Sequence, residues 1–174
     1  MTRNLIISVL VSLDGYIADE QGSVLALERF YRDHLPAGVV DWRVPPDFDT
    51  VLVGKNTYKC YYHSLLNMTQ KEVIVFSHTP LAGLGANMRC FSGDVISLIT
   101  QLRANEGKNI WLFGGGDLID QVVCGDLVDQ IRLVTLPLNL TKGIALFNTT
   151  HQAPKVNLQS LETKYEMSYS IWTK

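Results

Sequence analysis

Ile110-Trp111-Leu112-Phe113-Gly114-Gly115-Gly116-Asp117-Leu118 is the stretch of the 174-residue sequence that decides the fold class. Residues 109–113 form an apolar run typical of a buried strand, and residues 117–124 are predicted to form a short helix. A strand-to-helix turn needs one glycine or two, so three consecutive glycines favour contact between the backbone and a bound group. Free N–H groups at the start of the following helix would suit a phosphate. The spacing is not G-x-G-x-x-G, which argues against an ordinary Rossmann dinucleotide fold.

Short β-branched runs alternate with amphipathic stretches over the rest of the chain. Strands are predicted over residues 3–12, 50–53, 72–76, 109–113, 130–136, 155–163 and 165–173. Helices are predicted over residues 24–34, 56–66, 94–105 and 117–124. Strands that alternate with helices favour parallel crossovers with helices on both faces of the sheet. Because a tight turn joins the last two strands, we expect an α/β fold with a mostly parallel, mixed sheet and an antiparallel C-terminal edge.

Composition and charge narrow the class of partner. With 47% hydrophobic residues the chain can fill a core, and disorder would need the opposite balance. A formal net charge of -2 gives no basic surface for nucleic acid or for an anionic membrane. No apolar run approaches the roughly 18 residues that span a bilayer. We therefore expect a cytoplasmic protein with a small-molecule partner, no nucleic acid and no membrane.

Nothing in the sequence divides the chain into parts. It has no internal repeat, low-complexity tract or block of charge, so residues 1–174 are predicted to form one domain, with 137–147 as a long loop.

Cysteine and histidine positions argue against a metal site. The cysteines lie too far apart for a zinc knuckle or a C-x-x-C redox site, and we expect them to be small, buried or half-buried residues in a reducing compartment. These cysteines are Cys60, Cys90 and Cys124. The histidines are scattered without an H-x-x-x-H pair, so no metal is expected. These histidines are His34, His63, His78 and His151.

Polar residues follow several predicted strands, at the sheet edge where ligands bind in open α/β proteins. After the second strand, Lys55 and Thr57 offer a cation and a hydroxyl beside a helix N-terminus, which suits a phosphate. Taken alone, the same pair also fits a solvated lysine and a helix cap. His78 after the third strand fits a surface residue as well as a ligand contact. Asp14 fits a turn before Gly15 as well as a catalytic acid.

The order of these motifs over nearly the whole chain resembles the dihydrofolate reductase-like superfamily. The matching segments are Ser12-Leu13-Asp14-Gly15-Tyr16-Ile17-Ala18, Val51-Leu52-Val53-Gly54-Lys55-Asn56-Thr57-Tyr58, Val75-Phe76-Ser77, residues 110–118, Leu127-Val128-Asp129-Gln130-Ile131-Arg132-Leu133, and residues 137–147. The branch that looks closest is the C-terminal reductase domain of the bifunctional riboflavin biosynthesis deaminase-reductase, together with its stand-alone bacterial relatives.

The resemblance implies a sheet of about eight strands and NADPH as the hydride donor. It implies that phosphates are held by Gly54, Lys55 and Thr57, and the adenosine end by Ser77 and His78. It implies a pyrophosphate site at the glycine run, and a nicotinamide site at the first loop, with residues around Gly143 bordering the substrate. The pyrophosphate residues would be Gly114, Gly115, Gly116, Asp117 and Leu118, and the first-loop residues Asp14, Gly15 and Ala18.

Two positions depart from the pattern of the superfamily. Lys55 and His78 stand where its members usually have arginine, and a lysine cannot grip a phosphate with two parallel hydrogen bonds. The preference for NADPH over NADH therefore stays open.

The catalytic proton also has more than one candidate source. The dihydrofolate reductases bind the pterin with a carboxylate on the first long helix, where Glu28 is the nearest acid and where an exposed side chain is an equal alternative. Asp14, Glu28 or a bound water could supply the proton.

The leading hypothesis is an NADPH-dependent oxidoreductase acting on a pyrimidine- or pterin-like molecule. Such an enzyme would be similar to 5-amino-6-(5-phosphoribosylamino)uracil reductase of riboflavin biosynthesis. The alternative is a catalytically weak or inactive nucleotide-binding or sensing module on the same fold. The resemblance also implies a homodimer, to which the closing strands could contribute.

Overall fold

The computed structural model describes residues 3–148 and 153–174, so His151 lies outside the described residues. The strands of the described chain are β1 Leu5–Ser12, β2 Tyr16–Ala18, β3 Phe48–Gly54, β4 Glu72–Phe76, β5 Met88–Phe91, β6 Asn109–Gly114, β7 Gln130–Leu136, β8 Ile144–Ala145, β9 Asn157–Lys164 and β10 Met167–Thr173. The helices are α1 Leu25–His34, α2 Lys55–Cys60, α3 Tyr62–Leu66, α4 Val95–Ala104 and α5 Gly116–Cys124.

The central sheet has eight strands in the order β5-β4-β3-β6-β1-β7-β10-β9. Strand β1 lies between β6 and β7 and is parallel to both, with Ile7 opposite Leu112 on one side and Ile131 on the other. Only β10 runs antiparallel, to β7 and to β9. The predicted α/β class, mostly parallel sheet and antiparallel C-terminal edge are confirmed. The carboxyl ends of β4, β3, β6 and β1 consequently meet along one edge.

Helices cover both faces of the sheet, as predicted. Ile7 and Val9 of β1 pack into the core beneath α4 and α5, whereas Leu10 packs with Leu27 and Tyr31 of α1 on the opposite face. On that second face a separate core beneath α2 and α3 covers β3, β4 and part of β6. None of the described helices is both long and apolar enough to cross a membrane.

The helix predicted over residues 56–66 forms as two short helices. Tyr61 caps the first and precedes the second, with φ −114° and ψ 20°, outside the helical region. The break turns the Tyr61 hydroxyl towards Glu28 on α1, to which it donates a hydrogen bond. A tertiary contact therefore overrides the local helical pattern.

Strands β2, β5 and β8 were not predicted from the sequence. They are two to four residues long, which is too short for an alternating pattern to show. Strand β8 lies within the predicted loop 137–147 and pairs antiparallel with β2.

The expected burial of the cysteines is wrong for two of the three. Cys60 and Cys124 are exposed, and Cys90 is half-buried. Both exposed cysteines are the last residues of short helices, α2 and α5, where the side chain turns away from the core.

The β2–β8 ribbon brings residues 143–145 against the first loop. A Cβ added at Gly143 would lie 2.1 Å from the carbonyl oxygen of Ala18, a distance that no side chain tolerates. Glycine is therefore required at this position by the approach of two backbones. The ribbon in turn places Ile144 over the start of α5, because a Cβ at Gly116 would lie 2.8 Å from the Ile144 Cγ2 atom.

Gly143→Ala is expected to lower the free energy of unfolding by about 3 kcal/mol, since the clash is with backbone that has to move. Gly38→Ala is the matched control: Gly38 has φ +82° and no atom within 4 Å of the added Cβ, so only backbone strain of about 1 kcal/mol is expected. Urea unfolding measures both. An equal loss in the two variants would contradict the close approach of β2 and β8.

Candidate functional site

Two adjoining cavities open along the carboxyl edge of the sheet. The first has a volume of about 720 Å³ and runs past the ends of β4, β3, β6 and β1, and the second, of about 690 Å³, lies between α1 and α2. Both are large enough for a small ligand. They share a boundary made by Gln21, Gly22, Val24, Arg43, Cys60, Tyr61 and Phe113. A molecule in one cavity can therefore contact a molecule in the other.

The glycine run forms the floor of the first cavity at the N-terminus of α5. Gly114 has φ +120°, in the region that favours glycine, and Gly115 caps α5 without a side-chain hydrogen bond. The first N–H groups of a helix have no intrahelical acceptor, so they attract an anion. Helix α4 differs, because the Asp94 carboxylate accepts a hydrogen bond of 2.7 Å from the N–H of Ser97.

The loop after β3 packs directly against the glycine run. A Cβ at Gly54 would lie 3.3 Å from the Gly115 nitrogen, and one at Gly115 would lie 3.1 Å from the Thr57 Oγ1 atom. Because Gly54 and Gly115 have no side chains, the turn after β3 and the turn after β6 can come into contact. Lys55 follows Gly54 in the first of these turns. The Lys55 Nζ atom donates a hydrogen bond of 2.8 Å to the Thr79 hydroxyl.

The loop after β4 forms the outer end of the first cavity. Ser77 is buried, and its hydroxyl donates to the Thr79 carbonyl at 2.6 Å while accepting from the Thr79 N–H at 3.2 Å. His78 is exposed and lines the cavity beside it. The first cavity is lined by two lysines, Lys55 and Lys59, and by one carboxylate, that of Asp117. The further cation on its lining, Arg43, is paired with Glu28 and Asp41. The balance favours an anionic ligand.

All the residues predicted to hold the cofactor, except Gly15, line this first cavity. They are Ala18, Gly54, Lys55, Thr57, Ser77, His78, Gly114, Gly115, Gly116, Asp117 and Leu118. Residues separated by up to 100 positions in the sequence therefore lie around one space.

Asp14 and Gly15 lie outside both cavities. The Asp14 carboxylate accepts hydrogen bonds from the Ser12 hydroxyl at 2.6 Å and from the N–H groups of Leu140 and Thr141 at 3.1 and 2.7 Å. The Ser12 bond, together with these backbone donors, lowers the pKa of Asp14. The Gly15 carbonyl accepts from the Leu146 N–H at 2.9 Å. Both residues anchor the loop after β7 to the first loop.

Glu28 is buried in the wall of the second cavity and is not the exposed side chain that the sequence left open. Its Oε1 atom accepts hydrogen bonds from the Arg43 guanidinium and from the Tyr61 hydroxyl. This bridge joins α1 to the break between α2 and α3. The Oε1 atom of the carboxylate is thus already paired within the chain.

Arg43 binds a second carboxylate, that of Asp41. Its Nε atom lies 2.9 Å from Asp41 Oδ1, its Nη2 atom 2.6 Å from Oδ2, and the Tyr31 hydroxyl donates to Oδ1 at 3.0 Å. Burial opposes the charge of Arg43, but its hydrogen bonds to Asp41 and the charge of Glu28 outweigh burial and raise its pKa. Burial also opposes the charge of Asp41, yet Arg43 holds the pKa of that carboxyl below its usual value.

Tyr61 keeps its proton at any physiological pH. Burial, followed by the negative charge of Glu28, raises the pKa of the hydroxyl far above its ordinary value. The group is therefore a permanent hydrogen-bond donor on the boundary between the cavities.

Sequence reasoning missed Arg43, Tyr61 and Lys59. Arg43 lies in the irregular segment between α1 and β3, where no pattern distinguishes it from a solvated arginine. Tyr61 and Lys59 fall within the predicted helix 56–66, and the break at Tyr61 that exposes them to the cleft depends on Glu28, which lies 33 residues earlier.

The sheet order and the cleft at its carboxyl edge define the class of fold: it is dihydrofolate reductase-like. Residues 3–166 match the model of the RibD C-terminal domain family, and the chain belongs to that family. Solved structures with this fold include a riboflavin-pathway deaminase/reductase and a dihydrofolate reductase. The resemblance inferred from the sequence is confirmed.

Two relatives from Bacillus subtilis (strain 168) match most of the chain. The uncharacterized protein YwjB is 27% identical over 161 residues, which cover 91% of each chain. The uncharacterized protein YyaP is 27% identical over 184 residues, which cover 93% of this chain and 88% of YyaP.

Solved structures share the fold at low sequence identity. A putative riboflavin biosynthesis protein from Shewanella sp. PV-4 has a TM-score of 0.77 at 22% identity, covering 99% of this chain and 98% of that chain. A diaminohydroxyphosphoribosylaminopyrimidine deaminase/5-amino-6-(5-phosphoribosylamino)uracil reductase from Thermotoga maritima has a TM-score of 0.66 at 15% identity, and the match covers 99% of this chain and 56% of that longer chain. Dihydrofolate reductase from Enterococcus faecalis, complexed with NADP(H), has a TM-score of 0.62 at 10% identity, with 99% and 98% covered.

Asp41→Asn is expected to make stability less sensitive to acid. A carboxyl whose folded pKa is depressed stabilises the fold fully above its unfolded pKa, about 3.9, and loses this contribution as the pH falls through the folded pKa. In urea unfolding between about pH 5 and pH 2, the wild type should therefore lose stability more steeply than the variant. Asp33→Asn, which removes an exposed carboxylate 3.8 Å from Arg29, should keep the wild-type slope. Parallel curves for the wild type and D41N would contradict the ion pair.

Proposed function

We propose that the protein is an NADPH-dependent reductase of a pyrimidine- or pterin-like small molecule, similar to 5-amino-6-(5-phosphoribosylamino)uracil reductase. One observation carries the proposal. The glycine-lined N-terminus of α5, without a side-chain cap, faces a cationic cavity that adjoins a second cavity of similar size. Such an arrangement suits a dinucleotide beside a separate organic substrate.

The residues of the first cavity fit the phosphates of NADPH. The N–H groups at Gly116 and Asp117 would hold the pyrophosphate by way of the helix dipole. Lys55 and the hydroxyls of Thr57 and Ser77 would hold the adenosine side, where a 2′-phosphate needs a cation. Lys55 is the cation that we assign to this phosphate, in place of the arginine usual in the superfamily.

The second cavity would hold the substrate against an aromatic floor. Trp111 and Phe113 of β6 lie with ring centroids 4.6 Å apart and both line this cavity. A planar heterocycle packs well on such rings. Bound NADPH would supply the hydride. Tyr61 and Glu28 would orient the substrate at the boundary. The proton that completes the reduction would come from a bound water, since Tyr61 keeps its proton and Asp14 lies outside both cavities.

NADPH titration tests the proposal at its first step. Binding is expected to change tryptophan fluorescence, because Trp111 lies in the floor of the cleft, and to raise the melting temperature by mass action. Lys55→Met should weaken NADPH binding about fivefold and should weaken NADH binding less. Lys155→Met is the control, because Lys155 is exposed and lines neither cavity. Unchanged fluorescence and melting temperature on adding NADPH would refute the proposal.

A second candidate function is a nucleotide-binding or sensing module without catalysis. The observation that favours it is the pairing of both carboxylates of the second cavity, Glu28 and Asp41, with Arg43. Saturating NADPH binding without oxidation across a panel of pyrimidine, pterin and carbonyl compounds would support this candidate and exclude the reductase.

We also propose that the protein pairs as a homodimer through its C-terminal edge. Strand β9 is exposed along almost its whole length, and it presents Leu158 and Leu161 at 48% and 62% exposure. A long, exposed edge strand with apolar side chains favours association with a second copy. Light scattering is expected to give twice the chain mass of 19.5 kDa. A mass near that of one chain would contradict the proposed dimer.

A further inference from the structure

The charged side chains that line the second cavity balance one another. Two arginines, Arg32 and Arg43, stand against two carboxylates, Glu28 and Asp41. The first cavity differs, because its two lysines outnumber its one carboxylate and the N-terminus of α5 lies beside them. The two cavities therefore suit ligands of different charge.

Arg43 already neutralises charge within the chain. Its guanidinium bonds Glu28 on one side and both carboxylate oxygens of Asp41 on the other. The side chains of Arg43 and Glu28 are only 16% and 10% exposed. An anion that drew Arg43 away would leave these carboxylates without their cation, which is unfavourable at a buried site. Arg43 is thus not available to neutralise a ligand.

Arg32 is the remaining cation of the second cavity, and it is exposed. It lies in the last turn of α1, where the helix dipole favours a positive charge, and its Nε atom donates to the Glu28 carbonyl at 3.3 Å. Water and salt screen an exposed charge, so it contributes little to the binding of an anion. The position of Arg32 in the helix accounts for it without a ligand.

The N-terminus of α1 also borders the second cavity, but its positive end is compensated within the chain. The Ser23 hydroxyl accepts a hydrogen bond of 3.3 Å from the Leu25 N–H, and the Glu28 carboxylate lies in the first turn. A carboxylate in that turn offsets the partial positive charge of the helix N-terminus. The start of α1 consequently attracts an anion only weakly.

The rest of the lining is neutral. Among the described residues no other charged side chain lines the second cavity; the others are aromatic, aliphatic, or small and polar. A phosphate group carries a charge of about −1.5 to −2 at neutral pH and needs cations or several free N–H donors. Neutral polar side chains bond a heterocycle and its hydroxyl substituents equally well without such charges.

From this distribution of charge we infer that the substrate is an uncharged heterocycle that carries no phosphate. The inference rests on the proposed function and narrows it to the unphosphorylated members of the pyrimidine- or pterin-like class. The heterocycle would lie on the rings of Trp111 and Phe113. The phosphates that enter the cleft would be those of NADPH, in the first cavity.

Two matched pairs of compounds test the inference with the wild-type protein. One pair is 5-amino-6-(ribosylamino)uracil and its 5′-phosphate, and the other is neopterin and its 3′-phosphate. Titration calorimetry with and without NADP+ measures affinity, and oxidation of NADPH measures turnover. The unphosphorylated member of a pair is expected to bind about 10- to 100-fold more tightly, because the phosphate loses water without gaining a cation.

Ser64→Lys supplies a cation that the cavity lacks. Ser64 is an exposed residue of α3 that lines the second cavity. The variant is expected to raise the affinity for the phosphorylated member, relative to the unphosphorylated one, about fivefold. Gln101→Lys is the matched control, because Gln101 is exposed on α4, on the other face of the sheet, and lines neither cavity. It should leave that ratio unchanged, and an unchanged ratio in S64K would contradict binding of the substrate in the second cavity.

Different outcomes separate the inference from the function on which it rests. Tighter binding of the phosphorylated member in either pair, or equal binding of both members in both pairs, would overturn the inference and leave the reductase proposal intact. A wild-type protein that binds NADPH and no member of either pair would also overturn it. A protein that prefers the unphosphorylated compounds but neither binds nor oxidises NADPH would instead overturn the proposed function.

Discussion

The parallel pairing of β1 with both β6 and β7 is the constraint on which the rest of the structure depends. It covers β1 on both edges, and all eight of its residues are buried. Parallel pairing also brings strands that are distant in sequence to the same edge with the same direction. The turns after β3, β4 and β6 therefore open into one cleft, and the two glycine-bearing turns can touch only because their strands are neighbours.

The cleft is divided electrostatically as well as by shape. On the side of α5, Lys55 and Lys59 outnumber the one carboxylate, that of Asp117, and the helix adds its own positive end. Between α1 and α2, Arg43 lies between the carboxylates of Glu28 and Asp41, and Tyr61 and Tyr31 donate to those two carboxylates. An anion gains from the first environment and little from the second, which suits a neutral, planar molecule.

The parts of the fold that could be predicted from the sequence are those with local causes. The glycine run, the aliphatic strands and helix α4, with Val95, Leu98, Ile99 and Leu102 buried and Asp94 as its cap, all follow from residues close together in the chain. Most of the candidate cofactor residues lie together in the first cavity because they belong to the turns at the ends of β3, β4 and β6. Arg43 and Tyr61 could not be predicted, since their positions depend on Glu28, a contact made only once α1 and α2 cover the same face. The turn at Asp14 could be predicted, but the partners of its carboxylate could not, because these are the N–H groups of Leu140 and Thr141 in the loop after β7.

Glu28 shows how the cleft holds a buried polar group. Its Oε1 atom accepts hydrogen bonds from Arg43 and from Tyr61, so a ligand that displaced either donor would leave a buried carboxylate without that partner, which is unfavourable. A molecule in the second cavity is therefore expected to bind beside this bridge and not to replace it.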